Sequence, residues 1–214
     1  MALPDAAPAR TLQHRRSIDI EVFARGDGLW EVDARLVDVK TRDARLARSV
    51  RPAGEPIHDL LLRLVIDERF NIVEAGSDTR AMPYPGECDV FGGAAADAYG
   101  RLVGLNLMHN FRQAVRHRLG GVQGCTHLTE MSQTLPTAVV QAFAGIVIDT
   151  RGDDASSERP FQIDRCHALR ADGAVVREHY PRWFRQAAVS SAADTAPAVA
   201  CAPAHPSPMQ ETHS

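Results

Sequence analysis

The stretch Ile18-Asp19-Ile20-Glu21-Val22-Phe23-Ala24-Arg25-Gly26-Asp27-Gly28-Leu29-Trp30-Glu31-Val32-Asp33-Ala34-Arg35-Leu36 decides the fold. Ile18, Ile20 and Val22 alternate with Asp19 and Glu21, the period of a strand with one buried face. Gly26-Asp27-Gly28 is turn chemistry, and the return run puts Trp30, Val32, Ala34 and Leu36 on one face and Glu31, Asp33 and Arg35 on the other. The reading is an antiparallel hairpin with a polar outer surface.

Working outward, a third strand follows Pro56, with His58 on the face that carries Leu60, Leu62, Leu64 and Ile66. His58 is therefore expected to point coreward and to need a partner. The turn Asp67 to Asn71 leads to a fourth strand near Ile72 to Ala75. Between strands two and three, about Asp38 to Glu55 is charged and aperiodic and reads as a long surface loop. Beyond the strands, Pro83-Tyr84-Pro85 delivers Cys88 to the start of an Ala-rich helix over about 90 to 100. A helix over Leu107 to Leu119, ended by Gly120-Gly121, carries Arg112, Arg116 and Arg118 on its solvated side. The next helix is capped by Thr126. Pro136 kinks it or restarts it with Thr134 as cap, and either outcome is expected to bury Val139, Phe143 and Ile146. Strands first and helices later predict an α+β fold: an antiparallel β-meander of about four strands followed by a helical layer. The predicted organisation is a disordered tail over 1–10, a single domain over 11–186 and an Ala/Ser/Pro-rich disordered tail over 187–214. In the last ordered piece, Trp183 and Phe184 are the expected anchors.

Composition narrows the class. Among 214 residues, 24 basic side chains stand against 27 acidic ones, a net charge of -3, so no global basic field points to nucleic acid. No run of about 18 apolar residues and no basic-then-apolar leader is present. The expectation is a cytoplasmic protein with a small-molecule partner, no nucleic acid and no membrane; homo-oligomerisation stays open. Four cysteines without a CxxC pair indicate neither a disulfide scaffold nor a zinc ribbon.

Chemistry gathers in Gly120-Gly-Val-Gln-Gly-Cys125-Thr-His127-Leu-Thr-Glu130. Cys125 precedes a helix start, where free N–H groups and the helix dipole favour negative charge and make a thiol a better metal ligand or nucleophile. His127 and Glu130, three apart, share a helical face. The candidate site is His58, Cys88, Cys125 and His127 as metal ligands, with Cys166 and His167 second, and His127, Glu130 and His58 as the catalytic groups. Nitrogen and sulfur donors of this kind suit zinc or iron; no organic cofactor is indicated. Cys201 and His205 lie in the C-terminal tail and His109 and His117 on a helix flank, so none of these joins the set.

Asp27-Gly28-Leu29-Trp30, Pro56-Ile57-His58-Asp59, Pro83-Tyr84-Pro85 with Cys88, Gly124-Cys125-Thr126-His127-Leu128 with Glu130, and Cys166-His167-Ala168-Leu169 with Asp172-Gly173 resemble the words of DUF2889, a bacterial family of unknown function. The likeness covers about residues 12 to 184. More remotely, Asp59, Cys88 and Cys125 fall in an order similar to that of NifU-type iron–sulfur scaffold proteins. Ile57-His58 stands where the scaffold's first cysteine would be, so the resemblance does not carry a three-thiolate cluster to these positions, while one metal held by nitrogen, sulfur and carboxylate stays compatible with them.

No phosphate loop, dinucleotide fingerprint or Gly-x-Ser-x-Gly elbow occurs. The expected function is that of a small enzyme acting on a modest organic metabolite, aromatic or carboxylated, by acid/base or metal-assisted lyase chemistry such as C–C cleavage releasing an aldehyde. Hydrolysis is second choice. The rival reading is a non-enzymatic metal or sulfur carrier.

Overall fold

The computed structural model describes residues 3–46, 49–89, 98–151 and 157–186. They group into two compact units, 1–151 and 152–214.

The first unit is built on a four-stranded antiparallel sheet of β1 (His14–Ala24), β2 (Trp30–Lys40), β5 (Pro56–Ile66) and β6 (Ile72–Ala81), in the order β1-β2-β5-β6. A short hairpin, β3 (Ala44–Arg45) with β4 (Val50–Arg51), is inserted between β2 and β5. The meander and its α+β class are as the alternation requires. Ile20, Ala34 and Leu62 form one cross-strand rung, and Val22, Val32 and Leu64 the next. Val32, Leu36, Leu64 and Ile66 are wholly buried. The opposite face is laced by ion pairs: Arg63 forks onto Asp33 at 2.6 Å and Arg35 onto Asp59 at 2.8 Å.

Onto the apolar face pack α1 (Phe111–Leu119), α2 (Thr126–Ser132) and α3 (Leu135–Phe143). Each contributes residues at helical spacing: Phe111, Val115 and Leu119; Leu128 and Met131; Leu135, Val139 and Phe143. Phe143 meets Trp30 with ring centroids 4.7 Å apart and Phe70 at 5.0 Å, which ties the last helix to the far end of the sheet.

Several expectations are corrected. Asp38 to Glu55 is not one loop, because β2 continues through Asp38 to Lys40 and the β3–β4 hairpin occupies part of the rest. β6 extends to Ala81, well beyond Ala75. The helix expected from Leu107 begins at Phe111; Leu107 is buried ahead of it, and Asn110 at φ 52 makes the helical entry. Thr126 does not cap α2. Cys125 is the N-cap, with extended backbone and no side-chain capping bond, and Thr126 is the first helical residue. Pro136 restarts the chain as α3 after Thr134, but Ile146 lies past its end and is 73% exposed. Of the Ala-rich helix over about 90 to 100, residues 90–97 fall outside the described set, and Ala98–Leu102 form a 3-10 turn. The expected tail over 187–214, with Cys201 and His205, is also outside it.

The second unit holds a small cluster of Ile163, Ala171, Val176 and Tyr180, with α4 (Ala174–His179) as its helix. Trp183 and Phe184 pack on this cluster. Among the described residues no helix is long and apolar enough to cross a membrane.

Candidate active site

The site grows out of one rung of the sheet. Arg16 on β1 lies opposite Asp38 on β2, and Asp38 lies opposite His58 on β5. Paired residues in an antiparallel sheet share a face. This face is the apolar one, since the next rung inward is Ile18, Leu36 and Leu60. The core surface thus ends in a polar row. A carboxylate placed there is desolvated and must be fully hydrogen-bonded.

Asp38 meets that demand. Arg16 donates from Nε to Oδ1 and from its terminal nitrogen to Oδ2, both at 2.8 Å, a bidentate fork. His14 Nε2 lies 2.9 Å from Oδ1 and His58 Nδ1 lies 3.0 Å from Oδ2. Burial opposes the charge on Asp38, whose side chain is 5% exposed, but the Arg16 fork and the two histidines outweigh it and hold the carboxyl down at about 2. Asp38 is therefore ionised at any ordinary pH. An ionised carboxylate only accepts, so His58 carries its proton on Nδ1 and Nε2 is its free, basic nitrogen.

From the opposite side, α2 brings His127. Its ring centroid is 4.0 Å from that of His58, with the planes inclined by 37°. The placement depends on the loop before the helix. Tyr99, fully buried, donates its hydroxyl to the Cys125 carbonyl at 2.9 Å and lies 3.0 Å from Thr129 Oγ1, while Thr129 reaches the Leu119 carbonyl at 3.2 Å. Burial pushes the Tyr99 phenol up to about 12. Gly124 lies against this post. A Cβ there would sit 2.7 Å from the Leu119 carbonyl oxygen and 3.3 Å from the Tyr99 hydroxyl, so only glycine lets the chain pass.

Burial lowers the pKa of His58, and the neighbouring His127 lowers it further against the pull of Asp38. Burial and the Arg16 charge lower that of His127, against Asp38 and Glu130. Both rings are neutral near pH 7. They open on a cavity of about 400 Å³ whose wall also includes Cys88, Cys125, Thr126 and Glu87, with Leu60, Met82, Pro83 and Tyr84 as its apolar part. Cys125 Sγ is 3.8 Å from His127 Nδ1. Burial raises the pKa of the Cys88 thiol.

The four first-choice residues, His58, Cys88, Cys125 and His127, thus line one cavity. Glu130 does not; it is 59% exposed and lies 3.5 Å from Arg16. Cys166 and His167 belong to the second unit, where both are exposed and His167 Nε2 is 3.4 Å from an Arg170 nitrogen. His109 is bound to Asn106 Oδ1 at 3.0 Å ahead of α1, and the α1 arginines are surface groups, Arg112 and Arg118 turning onto backbone carbonyls. Asp38, Arg16 and His14 escaped the sequence reading. The signal was present: Asp38 continues the inward series Trp30, Val32, Ala34, Leu36, and Arg16 stands two residues before Ile18.

No curated protein and no solved structure matches the chain. A family model described as "Protein of unknown function (DUF2889)" matches residues 14–141, which takes in the whole sheet, α1, α2 and most of α3; the Cys166-His167 words lie beyond it, and the match carries nothing of the NifU-type likeness.

Proposed function

The chain belongs to the DUF2889 family, whose description assigns no activity, and from the geometry of the site we propose a small enzyme acting on a modest organic metabolite by acid/base lyase chemistry. The observation that carries the reading is the Asp38–His58 pair with its imidazole against that of His127 on the wall of one cavity. Two neutral imidazoles, one held in a fixed tautomer by a buried carboxylate, supply a base and a proton carrier. Among the described residues no Lys or Arg lines the cavity, and Leu60, Met82, Pro83 and Tyr84 make up its apolar wall. An aromatic body fits that lining better than a carboxylate does.

In the favoured reaction, His58 Nε2 removes the proton of a substrate hydroxyl. The O–H electrons form a carbonyl, the adjacent C–C bond breaks, and an aldehyde such as formaldehyde leaves. The bonding pair passes to an electron-accepting group on the substrate, and the proton returns to that fragment by way of His127. Asp38 balances the positive charge that His58 carries meanwhile. Hydrolysis with His58 activating a water is the second use of the same groups. One observation favours the carrier reading, namely that Cys88 and Cys125 share the cavity wall, as a thiol-borne metal or sulfur species would require.

The test is a screen of aromatic metabolites bearing hydroxymethyl or carboxyl side groups, with the wild type, His58→Gln and His127→Ala. Aldehyde release should fall by about 10²-fold or more in each variant. Turnover unchanged in both would remove the proposed mechanism, and metal or sulfur delivery to a partner without turnover would move the protein to the carrier reading.

A further inference from the structure

We infer that Cys125 and His127 form a nucleophilic pair on the wall of this cavity, in which the thiol adds to the carbonyl carbon of a bound aldehyde and His127 carries the proton. The inference rests on the cavity being the functional site, but not on lyase chemistry there.

Cys125 Sγ lies 3.8 Å from His127 Nδ1, within hydrogen-bond reach for sulfur. A thiol donates and an unprotonated ring nitrogen accepts, so the proton that must leave before sulfur attacks already has its acceptor beside it. The backbone fixes the pair. The Cys125 carbonyl accepts from the Tyr99 hydroxyl and from the Thr129 N–H, both at 2.9 Å, and Gly124 before it has no room for a Cβ. His127 follows two residues on, in the first turn of α2, with its ring against that of His58. A carboxylate stands behind it: a ring nitrogen of His127, a ring nitrogen of His58 and an oxygen of Asp38 lie within 4.8 Å of one another. A nucleophile, a base within reach of it and a third group behind the base make the pattern of an activated thiol.

The charges around His127 suit the transfer. Burial and Arg16 on β1 keep the ring unprotonated at neutral pH, while Asp38 on β2 and Glu130 on α2 offset the positive charge once it forms. His58 on β5 is neutral beside it, and Glu87 lies on the segment that completes the cavity wall. In the step itself Cys125 passes its proton to His127 Nδ1, a sulfur electron pair forms the S–C bond, the carbonyl π pair moves onto oxygen, and that oxygen takes the proton back. The product is a hemithioacetal, formed without a leaving group, oxidant or reductant and reversed by the same two groups. A cavity of about 400 Å³ admits a small aldehyde, and among the described residues no Lys lines it to compete as an amine. Cys88 shares the wall, but burial raises its thiol pKa, which leaves it protonated and the poorer nucleophile.

The experiment uses the full chain and iodoacetamide at pH 7, with alkylation of each cysteine followed by peptide mass spectrometry. Half-buried Cys125 should react faster than the exposed Cys166 of the second unit, the reverse of the order that accessibility sets. His127→Gln should slow Cys125 by about tenfold or more and leave Cys166 unchanged. One equivalent of carbon-13-labelled formaldehyde should give one hemithioacetal resonance, lost in Cys125→Ser and kept in Cys166→Ser. A Cys125 slower than Cys166 in the wild type, an unchanged rate in folded His127→Gln, or the same resonance in Cys125→Ser would overturn the inference. The comparison of two thiols within the wild-type chain decides even if a variant does not fold. Aldehyde release by a protein whose Cys125 is inert would sink the nucleophilic pair and leave the acid/base reading standing. A His127-dependent Cys125 that holds formaldehyde, with no turnover on any substrate, would uphold the pair and count against the lyase.

Discussion

Replacing Asp38 with Asn leaves size nearly constant and removes the charge on which Arg16, His14 and His58 converge. The carboxyl is held at about 2 instead of 3.8, and at about 1.4 kcal/mol per pH unit that difference contributes about 2 kcal/mol to folding at neutral pH. A group whose folded pKa is depressed gives its stability in full above its unfolded pKa and loses it as the pH falls through the folded one. The contribution is therefore complete above about pH 4 and disappears toward pH 2. The amide also offers Arg16 two donors where it needs acceptors, but Arg16 is 36% exposed and can turn to water, so the cost stays near the linkage figure. Urea unfolding followed by circular dichroism should place Asp38→Asn about 2 kcal/mol below the wild type at pH 7, with the gap closing between pH 4 and pH 2. An Asn variant as stable as the wild type at pH 7, or one whose deficit persists undiminished at pH 2, would refute the assigned role.

Further outcomes follow from the same packing. Gly124→Ala forces a Cβ to 2.7 Å from the Leu119 carbonyl and should cost about 1–3 kcal/mol, read as a lower melting temperature together with altered reactivity of the adjacent Cys125. Tyr99→Phe removes the hydroxyl that anchors the Cys125 carbonyl and Thr129, and should cost on the order of 1 kcal/mol in urea unfolding. Leu62→Ala, at the centre of the sheet and 1% exposed, should cost about 2–5 kcal/mol without changing the His58 environment seen by proton NMR. His58 and His127, both pushed below 6.5 by burial, favour the folded state when neutral; stability should be full above the ordinary histidine value of 6.5 and decline as the pH falls below it, less steeply in His127→Gln.

The sheet was legible because two-residue alternation reports burial directly, and Val32, Ala34, Leu36, Leu60, Leu62 and Leu64 are buried as that period demands. His58 was found in the same way, as a polar residue on an apolar face. Asp38 was not, although it continues the very same series. An acid following four apolar inward positions reads locally as the end of a strand, and only the partners supplied from 22 and 20 residues away make it tolerable there. Cys88 and Cys125 were singled out for their local setting ahead of helices. Their meeting on one cavity wall with His58 depends on how the segment 82–88 folds back over the sheet, a long-range outcome that no local pattern encodes. The Thr126 cap fails because the Cys125 carbonyl already accepts the first helical N–H, from Thr129 at 2.9 Å, which sets the helix entry one residue earlier.

The account turns on His58 presenting a free Nε2 to the cavity while Asp38 holds its Nδ1 proton. Long-range nitrogen–proton NMR of the imidazole in chelator-treated protein at neutral pH observes this without any substrate. The account predicts a neutral His58 ring with the proton on Nδ1 and an unprotonated Nε2, whereas a proton on Nε2 would contradict it.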